Sequence, residues 1–372
     1  MTNCGNKIQV YVWVAQHNVS RYTPPPLLLT NAMVFMAEVR VASSAIRNRH
    51  DAVARISSCR ICGNATGKRF SANGFDWFRC ATCGTTQKLL TYDEYQNLNP
   101  SYDPGSFLDS RNRDQIEDFL DIQSATRVLS EVADRYLGGP KVHDARPTFL
   151  DVGCGMGRYL IAAERLGFDV LGFEPSADHA RVAIEHFRLP VINDYFIPEK
   201  VAGKVFDLIM LSHVIEHIYD PKRFVHDLVG VLKPGGVLIV ITPNNESLVA
   251  RTIGKSWPML KPLDHVSLIG ARAYAHFDLQ DLADVHHSSS EYPYEYVAAL
   301  LSALKSSATK SRRGRSTHVA NATDTTPRPL RDFGIKAKVL RYCLVAASAP
   351  MYLAAIAAGR QACLKTVIIR KR

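Results

Sequence analysis

The chain has 372 residues, of which 47% are hydrophobic and 22% are charged, and its formal net charge is +10 at pH 7. This length and apolar content are enough for one large domain and a smaller one with buried cores. The eight cysteines do not follow the spacing of a disulfide framework, which excludes a small disulfide-stapled fold. The basic excess does not select a partner, because most basic tracts are solvated loops.

Residues 1–55 carry no motif with a chemical role, and we expect them to be a poorly ordered extension. Pro24–Pro26 interrupts regular structure, and the apolar run Leu27–Val39 is too short to span a bilayer. The start of the chain lacks a basic region followed by an apolar run and a small-residue cleavage site. Together with the cysteine usage, this leads us to expect a cytoplasmic protein.

Residues 56–90 contain two Cys-x-x-Cys pairs with 17 residues between them, and a glycine follows each pair. The four cysteines are Cys59, Cys62, Cys80 and Cys83. Each pair can present two thiolates to one metal ion, and the glycine permits the tight turn that this requires. The pattern predicts a structural zinc ribbon, since four thiolates leave no open coordination position. A redox site is the alternative, but it needs a single Cys-x-x-Cys at a helix start.

The next segment, residues 91–112, combines several tyrosines with Asn, Asp and Pro. It predicts a linker that packs through its aromatic rings. A helix is expected over Asp114–Leu137, where apolar residues recur at helical spacing. Gly138-Gly-Pro140 ends this helix.

The central feature of the chain is the stretch Thr148–Gly157. Phe149–Val152 is an apolar run typical of a buried parallel strand, and glycines follow at every second position from Gly153. A helical pattern begins at Arg158. Glycine tolerates positive φ and has no Cβ, so a ligand can approach the backbone of such a turn closely. A plain strand-to-helix connection is the alternative, and the spacing is not the dinucleotide pattern Gly-x-Gly-x-x-Gly.

Three later strand patterns follow the glycine turn. The first, Phe168–Phe173, ends at Glu174. A carboxylate in this position can accept hydrogen bonds from both hydroxyls of a ribose. Lys204–His213 and Leu232–Thr242 have the pattern of two further buried strands.

In this order, the acid-x-Gly-x-Gly-x-Gly turn, Glu174 and the later strands resemble the motifs of class I S-adenosylmethionine-dependent methyltransferases. The resemblance implies an α/β, Rossmann-like domain with a seven-stranded sheet over residues 113–300, and S-adenosylmethionine as its cofactor. The positions that match the family's cofactor-binding residues are Asp151, Gly153, Gly155, Gly157, Glu174, Asp194, Ser212 and His213. Asp194 matches the residue whose side chain meets the adenine amino group. The backbone near Ser212 and His213 matches the part that faces the methionine moiety.

Two other parts of the chain extend the resemblance. A segment like residues 91–112 often lies over the cofactor as a lid in related enzymes. The ribbon is similar to those fused to bacterial methyltransferases that act on sugars and related metabolites. It is also similar to the ribbon that precedes the catalytic domain of some ribosomal RNA guanine methyltransferases.

The predicted strand Lys204–His213 leads into Glu216-His-Ile-Tyr-Asp-Pro221, which resembles the Glu-His-x-x-Asp-Pro stretch of a group that includes quinone-precursor O-methyltransferases. His217 is a candidate general base for a substrate hydroxyl, because an imidazole titrates near working pH. A structural histidine that caps this turn is the alternative. A third interpretation is a divalent-metal site of His213, Glu216 and His217. A similar spacing binds a metal in a small-RNA methyltransferase family, which has glutamate where His213 stands.

The loop Gly254–Leu268 resembles a Gly-x-x-Trp … Pro-x-x-His loop of the same group, which faces the substrate side of the cofactor pocket. His265 is therefore the second candidate base, with Trp257 as a wall of the pocket. Asp264 is a candidate to orient the imidazole. A structural histidine that anchors the loop is the alternative.

The last part of the chain has weaker patterns. Ala271–Val285 is expected to form a helix that leads to a further strand of the sheet. Residues 301–335 are basic and predict a disordered insertion. Residues 336–372 are expected to contain an amphipathic helix, with peripheral membrane contact through 336–360, and then the last strand of the domain. In the fold that the resemblance implies, this strand inserts antiparallel.

The sequence thus predicts a zinc ribbon followed by a methyltransferase that acts on a small molecule, such as a hydroxyl of a sugar, a lipid-linked saccharide or another metabolite. Proton removal by His217 or His265 matters only if the acceptor atom is protonated. Two alternatives stay open. One is an RNA methyltransferase that grips nucleic acid with the ribbon and the basic insertion. The other is a non-catalytic scaffold, although the retained acids Asp151, Glu174 and Asp194 argue against it.

Overall fold

The structure is a computed structural model that describes residues 58–98, 120–138, 146–201, 203–260, 264–290 and 348–372. The predicted N-terminal extension, residues 99–112 of the predicted lid segment and the predicted basic insertion lie outside the described residues. So does the start of the predicted amphipathic helix.

The described elements comprise eleven strands, six helices with both ends described, the helical residues 348–357 and several short turns of helix. The strands are β1 Gly67–Ala72, β2 Phe75–Cys80, β3 Thr86–Lys88, β4 Thr148–Val152, β5 Asp169–Phe173, β6 Val191–Ile192, β7 Phe206–Ser212, β8 Leu232–Pro243, β9 Ser267–Leu268, β10 Ala283–Ser290 and β11 Cys363–Arg370. The helices are α1 Tyr92–Gln96, α2 Ile122–Val132, α3 Arg158–Arg165, α4 Ala177–Glu185, α5 Pro221–Gly230 and α6 Leu248–Ile253.

Seven strands form one sheet in the order β10-β11-β8-β7-β4-β5-β6. The strands from β4 to β8 run parallel, whereas β11 inserts antiparallel between β8 and β10. This is the α/β, Rossmann-like arrangement that the sequence predicts, with its last strand in the predicted place. The chain order reverses between the neighbours β4 and β7, and ligands of such sheets bind at the carboxyl ends of the strands at this switch point.

The central strands are buried on both faces because helices cover the sheet from both sides. Along β7, Ile209 packs in one apolar cluster with Val225 of α5, and the next residue, Met210, packs in the opposite cluster with Leu129 of α2. Neighbouring side chains of a strand point to opposite faces, so an uninterrupted apolar run is needed to fill both cores. Each fully buried side chain of this size contributes about 1.5–3 kcal/mol.

The Asp-Pro end of the Glu216 motif starts a helix. Asp220 is the N-cap of α5 and its carboxylate accepts the amide of Arg223, while Pro221 occupies the first turn, where no backbone donor is needed. The motif therefore places the turn Ile215–His217 between the end of β7 and a firmly capped helix.

The ribbon and the large domain share a second sheet, of order β1-β2-β3-β9. In it, Thr86 and Gln87 of β3 pair antiparallel with Leu268 and Ser267 of β9. Because β9 belongs to the loop after β8, the ribbon is joined by backbone hydrogen bonds to the segment that carries His265.

Two predicted helices are different in the structure. The predicted helix Ala271–Val285 is wrong, because a short turn ends at His276 and strand β10 begins at Ala283. Asp278 adopts a φ of 53° between them, which a helix does not allow. Residues 114–119 of the predicted helix Asp114–Leu137 lie outside the described residues. Asp121, with a φ of 47°, precedes α2, and a further helical turn ends at Leu137 before Gly138, as predicted.

Residues 348–357 are helical, within the predicted amphipathic segment. Among the helices that the structure describes, none combines the length and apolar character needed to cross a membrane.

Candidate active site

The glycine turn after β4 has the backbone that only glycine adopts easily. Gly153, Gly155 and Gly157 all have positive φ, at 73°, 55° and 92°. A Cβ on Gly153 would collide with Val214 after β7, and one on Gly157 would collide with Leu189. At Gly155, by contrast, a Cβ would meet nothing within 4 Å. The turn is therefore packed at both ends and open in the middle.

Glu174, at the end of β5, closes this turn from the side. Its two carboxylate oxygens accept the backbone amides of Gly155 and Ser176, each at 2.8 Å. Burial raises the pKa of Glu174. These hydrogen bonds and the charge of His217 lower the pKa, but they do not cancel the effect of burial. The side chain is thus held at the switch point, within electrostatic reach of His217.

Asp151 is the buried acid of the turn, with 1% of its surface exposed. Within the described ranges its Oδ2 atom has no hydrogen-bond partner. Burial, together with the charge of Glu174, raises the pKa of Asp151 well above its usual value, and Arg158 counteracts this. A cationic group placed beside the turn would lower that pKa, so the site suits a positively charged ligand.

The remaining predicted cofactor residues lie around the same edge. Asp194 is half-exposed and forms an ion pair with Lys200. His213 has a φ of 56°, and its amide donates to Ile241 of β8 at 2.8 Å. Ser212 ends β7. The structure brings these residues to the carboxyl edge of the sheet, and their contacts with a cofactor stay a prediction.

A buried carboxylate forms the centre of a polar cluster beside this edge. Glu216 is 0% exposed. Its Oε1 accepts from Nδ1 of His213 at 3.1 Å, and its Oε2 accepts from the hydroxyl of Thr242 at 3.0 Å. Burial alone would raise the pKa of Glu216, but the His213 hydrogen bond and the charges of His213, His217 and His265 outweigh it and lower the pKa to about 2. Glu216 is therefore ionised and faces three imidazoles.

The two candidate bases meet at this cluster although they belong to different loops. His217 is half-buried, and its Nδ1 donates to the carbonyl of Asp264 at 2.9 Å. His265 is buried, and its Nδ1 donates to the carbonyl of Met259 at 2.8 Å. When neutral, each ring therefore has its proton on Nδ1 and presents Nε2 as an acceptor.

The same geometry suits a metal ion. Glu216, His217 and His265 each offer one ligand atom within 4.8 Å of the others. Two neutral imidazoles and one carboxylate are a common set for a divalent cation, and a backbone carbonyl on the second ring nitrogen is the usual support of such a ligand. The sequence interpretation placed His213 in this set. In the structure His265 completes it, and His213 binds Glu216.

The four cysteines of the ribbon converge on one point. The Sγ atoms of Cys59 and Cys83 are 3.5 Å apart, as are those of Cys62 and Cys80, and all four lie within 4.8 Å of one another. A tetrahedral zinc ion bound at ~2.3 Å requires sulfur atoms about 3.8 Å apart. The glycines after the pairs have the positive φ of tight turns, 70° at position 63 and 77° at position 84. The cluster fits the predicted zinc, whose identity stays a proposal.

Arg60, between the first two cysteines, connects the ribbon to the candidate bases. Its guanidinium donates to the carbonyls of Lys88 at 3.1 Å and Val266 at 2.8 Å, and it lies 4.6 Å from the ring centre of Tyr219. Val266 in turn donates its amide to the carbonyl of Glu216 at 2.8 Å. Sequence reasoning missed this role of Arg60, because no local pattern indicates partners 206 residues away.

Trp257 has a different role from the predicted one. Its side chain is 2% exposed and belongs to an apolar cluster with Trp77 of the ribbon. It therefore anchors the loop against the ribbon, and it does not form a wall of an open pocket. The prediction was wrong because a Gly-x-x-Trp pattern does not specify which side of the loop is packed.

Comparison with known proteins agrees with the strand order. A family model described as "Methyltransferase domain" matches residues 119–278. This interval contains the glycine turn, Glu174, the Glu216 cluster and His265. The chain carries a class I methyltransferase domain. S-adenosylmethionine is the cofactor of this class, and the residues predicted to bind it lie along the carboxyl edge of the sheet, with the glycine turn at the switch point.

Sequence relatives of the methyltransferase domain share one description. The chain is 34% identical over 108 residues to the mitochondrial ubiquinone biosynthesis O-methyltransferase of Mus musculus, which covers 27% of this chain and 29% of the relative. It is 36% identical over 99 residues to the ubiquinone biosynthesis O-methyltransferase of Bradyrhizobium sp. (strain ORS 278), with 26% and 39% covered. The chain thus spans less than half the length of these relatives.

A solved S-adenosylmethionine-dependent methyltransferase from Archaeoglobus fulgidus aligns with 66% of this chain and 94% of its own, at a TM-score of 0.37 and 15% identity. A TM-score this low adds nothing to the assignment. The methyltransferase domain is established by the family model and the strand order.

Proposed function

We propose that the chain transfers the methyl group of S-adenosylmethionine to a hydroxyl oxygen of a small-molecule acceptor. The main support for this proposal is the position of two imidazoles, each held through its Nδ1 atom, beside the buried carboxylate of Glu216. This group lies beside the carboxyl edge of the sheet, where the cofactor is predicted to bind. A hydroxyl is a poor nucleophile until its proton is removed, and this cluster is equipped to receive a proton. The family of the domain and the names of its relatives support the same class of reaction.

The residues of the glycine turn fit the cofactor. The space above Gly155 leaves room for a ligand against the backbone, and Glu174 is held where it could accept from ribose hydroxyls. The unsatisfied oxygen of Asp151 would gain from a cationic neighbour. When bound, S-adenosylmethionine supplies a methyl group already activated by the positive charge of its sulfur. The chain's own contribution is mainly to orient acceptor oxygen and methyl in line at roughly 3 Å.

The proposed route of the proton runs from the acceptor hydroxyl to Nε2 of His217 or His265. The ionised Glu216 would stabilise the imidazolium that forms, because opposite charges attract each other strongly in a buried environment of low dielectric constant. The carbonyls of Asp264 and Met259 keep each ring from rotating while its Nε2 accepts the proton. We favour His217 as the base, since it is the less buried of the two and lies near Glu174.

A metal-assisted version of the same reaction is the alternative. Glu216, His217 and His265 would bind the divalent cation. The cation would lower the pKa of an acceptor hydroxyl as a Lewis acid. Both versions use the same side chains, so chelation distinguishes them better than substitution does.

The acceptor is a proposal of its own. The sequence favours a hydroxyl of a sugar, a lipid-linked saccharide or another metabolite. The relatives named for ubiquinone biosynthesis favour a phenolic hydroxyl of a quinone precursor as the second candidate. An RNA acceptor remains a third possibility, tested by salt-sensitive RNA binding to the full chain.

The decisive experiment is a calorimetric titration of the full chain with S-adenosylmethionine. We expect micromolar binding by the unaltered chain and its loss in Glu174→Ala. Glu185→Ala is the matched control, because Glu185 is an exposed acid on α4 and its removal should leave the affinity unchanged. A folded chain that does not bind the cofactor would contradict the enzyme proposal and favour the scaffold alternative. Binding would justify a screen of sugar, saccharide and phenolic acceptors for methyl transfer.

A further inference from the structure

A cavity of about 440 Å³ opens at the carboxyl edge of the sheet, beyond β8 toward β11 and β10. It lies between the loop after β8, the end of β10 and the start of β11. Its charged lining residues are Glu246, Arg251, Arg272 and Arg360. We refer to this space, lined by three arginines, as the arginine cavity. None of the roles assigned above to the methyltransferase domain uses it.

The charge of the arginine cavity is poorly balanced. Among the lining residues that the structure describes, Glu246 is the one carboxylate, and it forms an ion pair with Arg272 at 2.5 Å. Across the described part of the chain, no carboxylate lies within ion-pair distance of Arg251 or Arg360. Arg79 of the ribbon adds a further positive charge within electrostatic reach of Arg251 and Arg272. Like charges gathered in a concave space raise the local concentration of anions.

These arginines come from separate parts of the fold. Arg251 lies in the last turn of α6, Arg272 in the turn after β9, and Arg360 just before β11. The Arg272 guanidinium is packed against the backbone of Gly84 in the second cysteine turn, where a Cβ would come within 2.6 Å of its Nη2. Arg272 is thus already held in position, which reduces the conformational entropy that its side chain would lose when a ligand binds.

The arginine cavity stands in a defined relation to the Glu216 cluster. Thr242 of β8, Leu364 of β11 and Ser289 of β10 lie directly opposite one another in the sheet. Thr242 binds Glu216, whereas Leu364 and Ser289 line the cavity. Strands are about 4.8 Å apart, so the cavity begins about 5–10 Å from Thr242. Directly opposite residues share a face of the sheet, so the cavity and the cluster lie on the same side.

We propose that the arginine cavity binds a phosphate or diphosphate group of the acceptor, and that this anchor positions the acceptor hydroxyl at the Glu216 cluster. The proposal rests on the proposed function, because it takes the bound molecule to be the methyl acceptor. Binding of an anion in the cavity does not itself depend on methyl transfer. Guanidinium groups match phosphate oxygens with paired hydrogen bonds, and several of them suit a diphosphate better than a single charge. The acceptor class is accordingly narrowed to phosphorylated or diphosphate-linked molecules.

The test is a titration of the full chain, with its metal content measured, with inorganic pyrophosphate at low and moderate ionic strength. We expect saturable binding that weakens at least about tenfold in the double variant Arg251→Gln/Arg360→Gln, since both guanidinium groups would lose their charge-assisted hydrogen bonds to phosphate oxygens. Arg181→Gln is the matched control, because Arg181 is an exposed arginine on α4. It should bind pyrophosphate as the unaltered chain does.

The results of the pyrophosphate titration either support or contradict anion binding in the arginine cavity. Absence of saturable binding, or equal weakening in the control, would overturn the proposal. Competition by a nucleoside diphosphate hexose, or by vesicles that contain a phosphorylated polyprenol, supports it and identifies a free or a lipid-linked source. Binding of RNA that pyrophosphate does not displace, with no pyrophosphate binding, would overturn it. A parallel titration with S-adenosylmethionine tests the proposed function by itself, so a failed cofactor site and a failed anion site give different results.

Discussion

The imidazole rings of His217 and His265 meet edge to face, with their centres 5.0 Å apart and an angle of 71° between their planes. One ring follows β7 and the other follows β8, and a backbone carbonyl fixes each of them. The pair faces the ionised Glu216. This relationship is the basis of the proposed proton transfer and of its metal-assisted alternative.

Substitution of either histidine should lower the rate of methyl transfer. We expect His217→Gln and His265→Gln to reduce kcat by about 100-fold or more, because a positioned base contributes typically 10²–10⁴-fold. S-adenosylmethionine affinity should change little, since neither ring is predicted to bind the cofactor. His186→Gln is the control, as His186 is exposed at the end of α4. Unchanged kcat in both site variants would leave the histidines with a structural role.

Chelation should decide between base and metal ligand. If His217 and His265 act as bases, EDTA should leave kcat unchanged in protein that keeps its ribbon zinc. If they bind a cation with Glu216, activity should fall with EDTA and return when Mg²⁺ or another divalent ion is added. The zinc content of the same samples must be measured, because the loss of ribbon metal alone could lower activity. A fall in activity that parallels only the loss of zinc would argue against a metal at Glu216.

The four cysteines should hold about one zinc ion per chain. We expect Cys80→Ser or Cys83→Ser to abolish stoichiometric zinc and to unfold the ribbon, since the metal supplies much of the folding free energy of such a small unit. Elemental analysis and protection of the β3 amides from hydrogen exchange would report this. Cys363→Ser is the control, because Cys363 lies in β11, where its Sγ donates to the carbonyl of Thr242, and it is not one of the four clustered thiols. Full zinc content in Cys83→Ser would contradict the four-thiolate site.

Arg60 should act as a positioning residue for the candidate bases. Arg60→Lys removes the fork that reaches both Lys88 and Val266, so the loop with His265 should lose its fixed distance from Glu216. We expect kcat to fall about tenfold, because misplacement by about 1 Å is costly, while KM for the cofactor and the zinc content stay unchanged. Arg69→Lys, at an exposed position of β1, is the control. Loss of zinc in Arg60→Lys would indicate a role in the stability of the ribbon instead.

Lys88 should make stability depend on pH in the alkaline range. Burial lowers the pKa of Lys88 from 10.5 to about 7, although the charge of Asp264 counteracts the shift. Between these two values the unfolded chain binds more protons than the folded chain, so the free energy of unfolding rises with pH. Below pH 7 the full penalty applies. Lys88→Met should therefore stabilise the protein by about 2–4 kcal/mol at neutral pH, after allowance for the lost contacts of the ammonium with Phe75 and Trp77.

Urea unfolding at several pH values checks this expectation. The advantage of Lys88→Met should shrink steadily between pH 7 and pH 10.5, where the ammonium of the unfolded chain is progressively lost. Lys68→Met, at an exposed position of β1, should leave the pH dependence of the original chain intact. Parallel curves for the chain and Lys88→Met would mean that Lys88 does not titrate as described.

The sequence by itself determined the local motifs of this protein, which are set by residues close together in the chain. Gly153, Gly155 and Gly157 were recognisable because positive φ requires glycine wherever the chain turns so sharply, and this constraint acts within a few residues. The paired cysteines were recognisable for a similar reason, since two ligands of one metal must lie a short turn apart. The apolar runs of β4 and β7 indicated the buried parallel sheet, and the antiparallel place of the last strand followed from the resemblance to the methyltransferase family.

Only the tertiary structure decided which distant residues meet. His265 joins Glu216 because the loop after β8 is held by β9 and by Arg60 of the ribbon, and no pattern along the chain encodes that pairing. The same holds for Trp257, which is buried against Trp77, and for the arginine cavity, whose residues come from separate elements. Such contacts depend on how whole elements pack, because each side chain gains its partner only when the surfaces around it are buried together.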